Sequence, residues 1–382
     1  MQIKLHNLTD RQTDRQTDRQ TDRQTRLLFV DLIESLAIFM VLSYHGTNYS
    51  YDFLQESNNI LFFLRYFFRT ILSCCVPIFF FVNGFLLFNH QFDLKKHILK
   101  IFRFVILTGL WGIIDLFILM FIRNEFLSFK DFLIGLWTWK LGWINHLWYM
   151  QALVVIYFLF PLLKIVYDNR RDIFVFFTVS VAVFTFGNVA INIIASIVAH
   201  LVLGNNEAYS FNWFNGFNPF RGIYGYSFVY FCIGGIAYDI LNVFKFLNRK
   251  WVCVGTILAS MFGLFVVGIT LSSMTEQLWD VVWDGYDTFF TFINVMCIFS
   301  LCLNYRETDN LLRKIFFTIS SNTLGIYFIH VLFNQLLKHH IVKISFMSNI
   351  PGNLLYTVII LFVSLGTVLI IKKIPVLKRL VI

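Results

Sequence analysis

Charge is what this chain has least of. Of its 382 residues only 14% are Asp, Glu, Lys or Arg, against about a quarter in a soluble globular domain. So few charges cannot solvate a water-facing surface, which excludes a soluble fold. Metal-ligand spacing is missing too. Cys74, Cys75, Cys232, Cys253, Cys297 and Cys302 lie in or beside apolar runs and read as packing residues with free thiols. The sequence has no HExxH, no Gly-x-Ser-x-Gly and no Walker pattern, so nothing in it asks for a metal or a bound cofactor. The first apolar run follows a polar tail and has no small-residue cleavage site behind it, so no cleavable signal peptide is expected.

Apolar length is abundant. The chain is 58% hydrophobic and 19% aromatic, with 47 Phe. Apolar runs at about 27–47, 60–88, 101–122, 146–166, 173–200, 223–242, 251–271, 285–304, 315–337 and 351–371 are each of membrane-crossing length. The expected fold is all-α, a polytopic bundle of about ten transmembrane helices surrounded by membrane lipid. The second and fifth runs are overlong, so each is expected to tilt or to contain a break. The net charge of +9 does not point to nucleic acid, because topology-setting loop charges account for it. Lys95, Lys96, Lys100, Arg103, Arg170, Arg171, Lys245, Arg249, Lys250, Arg306, Arg313, Lys314, Lys372, Lys373, Lys378 and Arg379 fall on one side. Arg123, Lys130, Lys140, Arg221, Lys338 and Lys343 fall on the other. The richer side is cytoplasmic by the positive-inside rule, which puts both termini inside. Trp137, Trp139, Trp143, Trp213, Trp279 and Trp283 are then on the outer side. There they suit the headgroup level, or equally the faces of sugar rings.

Residues 1–25 form a separate tail ahead of a membrane domain at 26–382. Thr9 to Thr25 read TDRQTDRQTDRQTDRQT, polar and balanced in charge, and expected to be disordered. Repeated ACAG encodes Thr-Asp-Arg-Gln in every reading frame. Gain or loss of one unit therefore keeps the repeat peptide but shifts the frame downstream, as a locus that switches a surface trait on and off requires.

The first run, LLFVDLIESLAIFMVLSYHGT, carries Asp31, Glu34 and His45. Charge inside a membrane helix is costly and is kept mostly for function. On a helix, Glu34 and His45 share nearly one face, about 16 Å apart along the axis. The plainer alternative makes Asp31 a cap, Glu34 a surface acid and His45 a headgroup residue. Arg65 and Arg69, just inside the outer end of the second run, either snorkel outward or face the interior and meet an anion.

Four segments in order resemble the acyltransferase 3 family of membrane acyltransferases. They are DLIESLAIFMVLSYH, VPIFFFVNGFLLF with Asn83 at the family's Ser position, HLWYMQALVVIYFLFPLL, which contains His146, Trp148 and Tyr157, and SSNTLGIYFIHVLF, which contains His330. The arrangement is similar to the branch without a fused soluble domain, which includes enterobacterial common antigen O-acetyltransferases and biofilm-polysaccharide acyl-modification proteins. The resemblance implies transfer of an acyl group, usually acetyl, from cytoplasmic acyl-CoA to a glycan hydroxyl outside the bacterial inner membrane. His45 matches the family's essential His. The family commonly has an Arg eleven residues earlier, where this chain has Glu34. Another cation (Arg65, Arg69, Lys100 or Arg103) would then hold the donor's anionic part, or the donor differs, or activity is lost.

The chemistry can also be read from the residues. Acylating a sugar hydroxyl requires loss of its proton, and neutral imidazole is the usual base near neutral pH. His45 takes that proton directly, or first accepts the acyl group as a nucleophile. Asn83, Tyr44, His146 and Tyr157 are polar groups that could converge on His45 and aim donors at an oxyanion. Helix–helix hydrogen bonding is the structural alternative for Asn83 and Tyr157. His330 offers a second core imidazole, or a satisfied packing histidine. The rival function is a polysaccharide or lipid-linked sugar transporter or flippase. It predicts an internal repeat, and HLWYM and GIYFIH have no counterparts in the opposite half.

Overall fold

The computed structural model describes residues 28–46, 59–138, 142–206, 224–305, 310–341, 344, 346 and 349–381. The Thr9–Thr25 repeat lies outside them. Among the described residues the chain is all-α, without a strand. Seven helices among the described residues are long and apolar enough to cross a membrane: α1 Leu28–His45, α2 Ile60–Asn89, α3 Leu94–Arg123, α5 Asn145–Asn169, α6 Arg171–Leu203, α9 Lys250–Thr275 and α13 Ile350–Ile371. Short α4 spans Phe129–Thr138. Two further runs are bent pairs. These are α7 Gly225–Gly235 with α8 Ala237–Val243, bent by 67°, and α11 Asn310–Ser320 with α12 Thr323–Ile341, whose spanning part bends by 72°. The shorter α10, Phe289–Leu303, completes the set. Every expected run is thus helical.

Both overlong runs contain a local break. In α2 a 3-10 turn, Thr70–Cys74, precedes Pro77. Proline has no N–H for the carbonyl four residues back and its ring crowds it. The Thr70 and Ser73 hydroxyls bond the carbonyls of Phe67 and Thr70, at 2.7 and 2.8 Å, within the turn. In α6 the break is a π-helical stretch, Val183–Gly187.

α1 is the axis of the bundle. It packs against α2, α10, α11, α12 and α13, while α3 packs on α5 and α12. On α3 the two faces separate cleanly. Phe102, Ile106, Ile113, Phe117 and Phe121 are exposed to the lipid side, whereas Leu107, Trp111, Asp115 and Leu119 are buried, one turn apart. The closest helix crossing is between α2 and α7. A Cβ added to Gly84 would lie 1.8 Å from the Phe231 carbonyl oxygen, and one added to Gly234 would lie 2.0 Å from that of Phe81. Two glycines let two backbones touch, the small-residue device of membrane helix packing.

Candidate active site

A cavity of about 210 Å³ opens between α1, α2, α3, α5 and α12 and the loop that follows α9. Its wall includes Glu34, Val41 and His45 along one stripe of α1, as the helical spacing requires. It therefore has a Glu34 end and a His45 end, about 16 Å apart in depth.

At the Glu34 end, the bend between α11 and α12 brings the Ser320 hydroxyl between two acids. Its oxygen is 2.7 Å from Asp31 Oδ1 and 2.8 Å from Glu34 Oε2. One hydroxyl proton serves two carboxylates, so at each moment one of them takes it. Lys100 lies within electrostatic range of both Glu34 and Arg103. Its Nζ sits over the Tyr157 ring, 5.2 Å from the centroid. Tyr157 donates to Asn83 Oδ1 at 2.9 Å, and Asn83 Nδ2 donates to the Phe79 carbonyl at 2.9 Å. The position of Tyr157 follows from Pro161. That proline inside α5 leaves the Tyr157 carbonyl without its helical donor. His97 Nε2 supplies the missing proton at 2.8 Å. Asn83 and Tyr157 thus belong to the Glu34 end, rather than beside His45 where the sequence reading grouped them. Asn83 lies near the Asn89 end of α2, level with the start of α1, and Tyr157, midway along α5, reaches it through their hydrogen bond.

At the His45 end, three imidazoles gather. The ring centroids of His45 and His330 are 5.4 Å apart, and those of His330 and His146 are 6.0 Å apart. His146 Nε2 lies 3.3 Å from Asp115 Oδ2, and both side chains are buried. His330 Nδ1 donates to the Tyr327 carbonyl at 2.6 Å. A carbonyl only accepts, so Nε2 carries the lone pair in the neutral ring. The Tyr327 hydroxyl donates to the His146 carbonyl. Asn334 Nδ2 donates to the His45 carbonyl at 2.6 Å, and Tyr356 donates to Asn334 Oδ1 at 2.7 Å. These backbone anchors hold the end of α1 in register.

The loop over this end is built on Asp280. Its carboxylate accepts from the Tyr44 hydroxyl at 2.9 Å, from Arg69 Nη2 at 3.2 Å and from the Val282 N–H at 3.1 Å. The Arg69 guanidinium also lies over the Tyr44 ring, 5.3 Å from its centroid. Arg65 bonds Asn349 Oδ1 at 3.0 Å. Neither arginine is at the Glu34 end, so neither can balance that acid. Trp148 stacks on Tyr224 with centroids 4.4 Å apart and meets Trp283 edge-on at 5.5 Å. Trp148 and Trp283 both line the cavity.

Asp115 and Asp280 escaped the sequence reading. A signal for Asp115 was present, since it is the one acid in an apolar run that extends from Phe104 to Ile122. Asp280 carried less, standing in a loop with three other acids, Glu276, Asp284 and Asp287.

Fold and cavity together define a multi-pass membrane protein with a buried acid–imidazole cavity. The profile of one family, described as an acyltransferase domain, matches residues 27–372. The chain belongs to this acyltransferase 3 family. No curated protein and no solved structure matches it.

Proposed function

We propose that this protein moves an acyl group, acetyl in the simplest case, from cytoplasmic acyl-CoA to a hydroxyl of a cell-surface glycan such as lipopolysaccharide, capsule or another exopolysaccharide. The observation that carries the reading is one cavity with an acidic, cation-flanked end at Glu34 and an imidazole end at His45. Two substrates that approach from opposite faces need such a passage. With both termini in the cytoplasm, the Glu34 end faces the donor. Lys100 and Arg103 then attract its phosphates, as point charge and fork respectively. The protein sits in the bacterial inner membrane, where acyl-CoA lies on one side and the growing glycan on the other.

At the His45 end, His45 takes the proton of the glycan hydroxyl as its oxygen attacks the thioester carbonyl. The C–O bond forms, the C–S bond breaks, and the departing thiolate takes up the proton. Trp148 and Trp283 offer flat apolar faces to the sugar rings. Glu34 replaces the basic residue common in the family, and its place beside Lys100 suits a role in orienting that ammonium. The TDRQ repeat adds on–off switching of expression by slippage of the encoding tetranucleotide.

The test is the mass of the surface glycan from cells with the gene, without it, and with His45→Ala. The expected result is an acetyl increment per modified sugar that disappears in both altered strains while glycan export continues. Loss of export instead would show a sugar transporter or flippase.

A further inference from the structure

The His45 end holds more ionisable groups than one general base requires. Asp115 is fully buried on α3, and His146 and His330 are nearly so on α5 and α12. Both Asp115 oxygens, both His146 ring nitrogens and His330 Nε2 lack a hydrogen-bond partner among the described residues. Buried polar atoms are almost always bonded, because each orphan costs about 1–3 kcal/mol. Such a concentration of orphans is a burden that stability alone does not explain. The described residues also include no group of three or more His, Cys, Asp and Glu set to hold a metal ion.

The geometry of these groups is a row. Asp115 Oδ2 is 3.3 Å from His146 Nε2. The His146 ring is 6.0 Å from that of His330, which is 5.4 Å from that of His45. We propose that Asp115 is a positioning residue for acyl transfer, the anion at the end of a buried series Asp115–His146–His330–His45 that holds the proton taken up at His45. The inference rests on the acyl-transfer reading of His45.

The physical reason is charge balance. An extra proton on three imidazoles alone would be a bare positive charge in a dry interior. With a carboxylate in the row, the same proton is held at no net charge. The proton belongs to the series rather than to one ring. The orphan lone pair of His330 Nε2 allows charge to spread from His45 inward. While the tetrahedral adduct persists, with its C–S bond intact, the proton waits in the row; it passes to the departing thiolate sulfur as that bond breaks. Other titratable groups facing the row are Tyr44 on α1, the Arg69–Asp280 pair, and Tyr149 and Tyr327, with Tyr356 behind Asn334, while Glu34 stands at the far end of the cavity. Of these, Tyr327 is also within electrostatic range of Asp115.

The experiment uses the full chain in membranes or detergent, with Asp115→Asn. A neutral Asp115 acts on the imidazoles as Asn does, and an ionised one favours the imidazolium, so the direction of the effect is determined. Modification of His45 by diethyl pyrocarbonate, followed by peptide mass spectrometry across pH, reports its protonation without any acyl transfer. The reactivity midpoint is expected to fall by about one pH unit or more in the variant. Turnover is expected to drop at least tenfold with donor KM unchanged, and thermal stability to hold or rise, since an unbonded carboxylate has been removed. In a His146→Gln background, Asp115→Asn should add little, because Asp115 acts through His146. An unchanged midpoint overturns the proposal, as does a loss of stability that accounts for the lost activity. If wild-type protein transferred no acyl group while the variant still showed the midpoint shift, the functional reading would be overturned and the series left standing.

Discussion

Asp280 does the most at the scale of one residue. It ties Tyr44, next to His45, to Arg69 of α2 and to its own loop. Asp280→Ala would leave a guanidinium and a phenol without their acceptor, at a cost of about 1–3 kcal/mol. The expected outcome is a lower melting temperature in detergent together with lost activity, and Asp280→Asn should recover part of both. Glu34 is judged by a pair of exchanges. Glu34→Gln retains an acceptor for Ser320 but removes the charge that faces Lys100, and is expected to lower turnover severalfold in an acyl-transfer assay. Glu34→Arg restores the common family pattern but sets two cations together. Activity well above the starting protein in that variant would mean that the acid is a defect.

A third residue responds to pH. Asp287 lies in the loop between α9 and α10, where burial, with Asp284 beside it, pushes its carboxyl up to about 6. Its ordinary value is 3.8. Between these values the folded protein binds more protons than the unfolded chain, so stability falls as pH rises from about 4 to about 6. Asp287→Asn should flatten that slope, as read from unfolding followed with a thiol-reactive dye.

Among elements, α2 and α7 make the tightest contact. Gly84→Ala places a methyl group against the Phe231 carbonyl, and no side chain can move to admit it. We expect the variant to be cleared from the membrane or to unfold at least several degrees earlier, whereas Gly109→Ala, in open space, should behave as wild type. The ten apolar runs were legible in the sequence because membrane-crossing length needs no partner to be seen. The bends were not. The 72° turn at Ser320–Thr323 depends on where two carboxylates of α1 lie, and those meet Ser320 only after folding. Depth was readable within α1 and extends to its neighbour. Counting 1.5 Å per residue from the ends of antiparallel α1 and α2 sets Asn83 level with Glu34. Asp115 was readable on the same terms, since it lies on the helical row of Trp111 and Leu119 that faces inward. The clustering of His45, His146 and His330 could be guessed from motifs, but their order in space could not.

For the whole molecule, two predictions concern what surrounds the bundle. A chain begun at Arg26 should reach the membrane and keep its activity, because a polar repeat buries too little apolar surface to offset its ordering. Normal membrane levels with no activity would give the tail a role. An N-terminal tag and a C-terminal tag should both resist protease added to intact spheroplasts and be cut after lysis, as the distribution of Lys and Arg requires. Cutting of either tag in intact cells would reverse the donor and acceptor ends.

The cavity described above has titratable groups at both ends, while Val41, Val76, Phe79, Phe104, Leu153 and Leu324 contribute apolar wall. Each elementary charge that crosses an energised membrane releases about 2.3 kcal/mol per 100 mV. A continuous water thread from Glu34 to His45 would be a proton wire, and a cell that made this protein in quantity would short-circuit its own respiration. The greasy wall would therefore act as an insulator, and under the proposed function it would let a neutral acyl group cross the barrier without spending the gradient stored there.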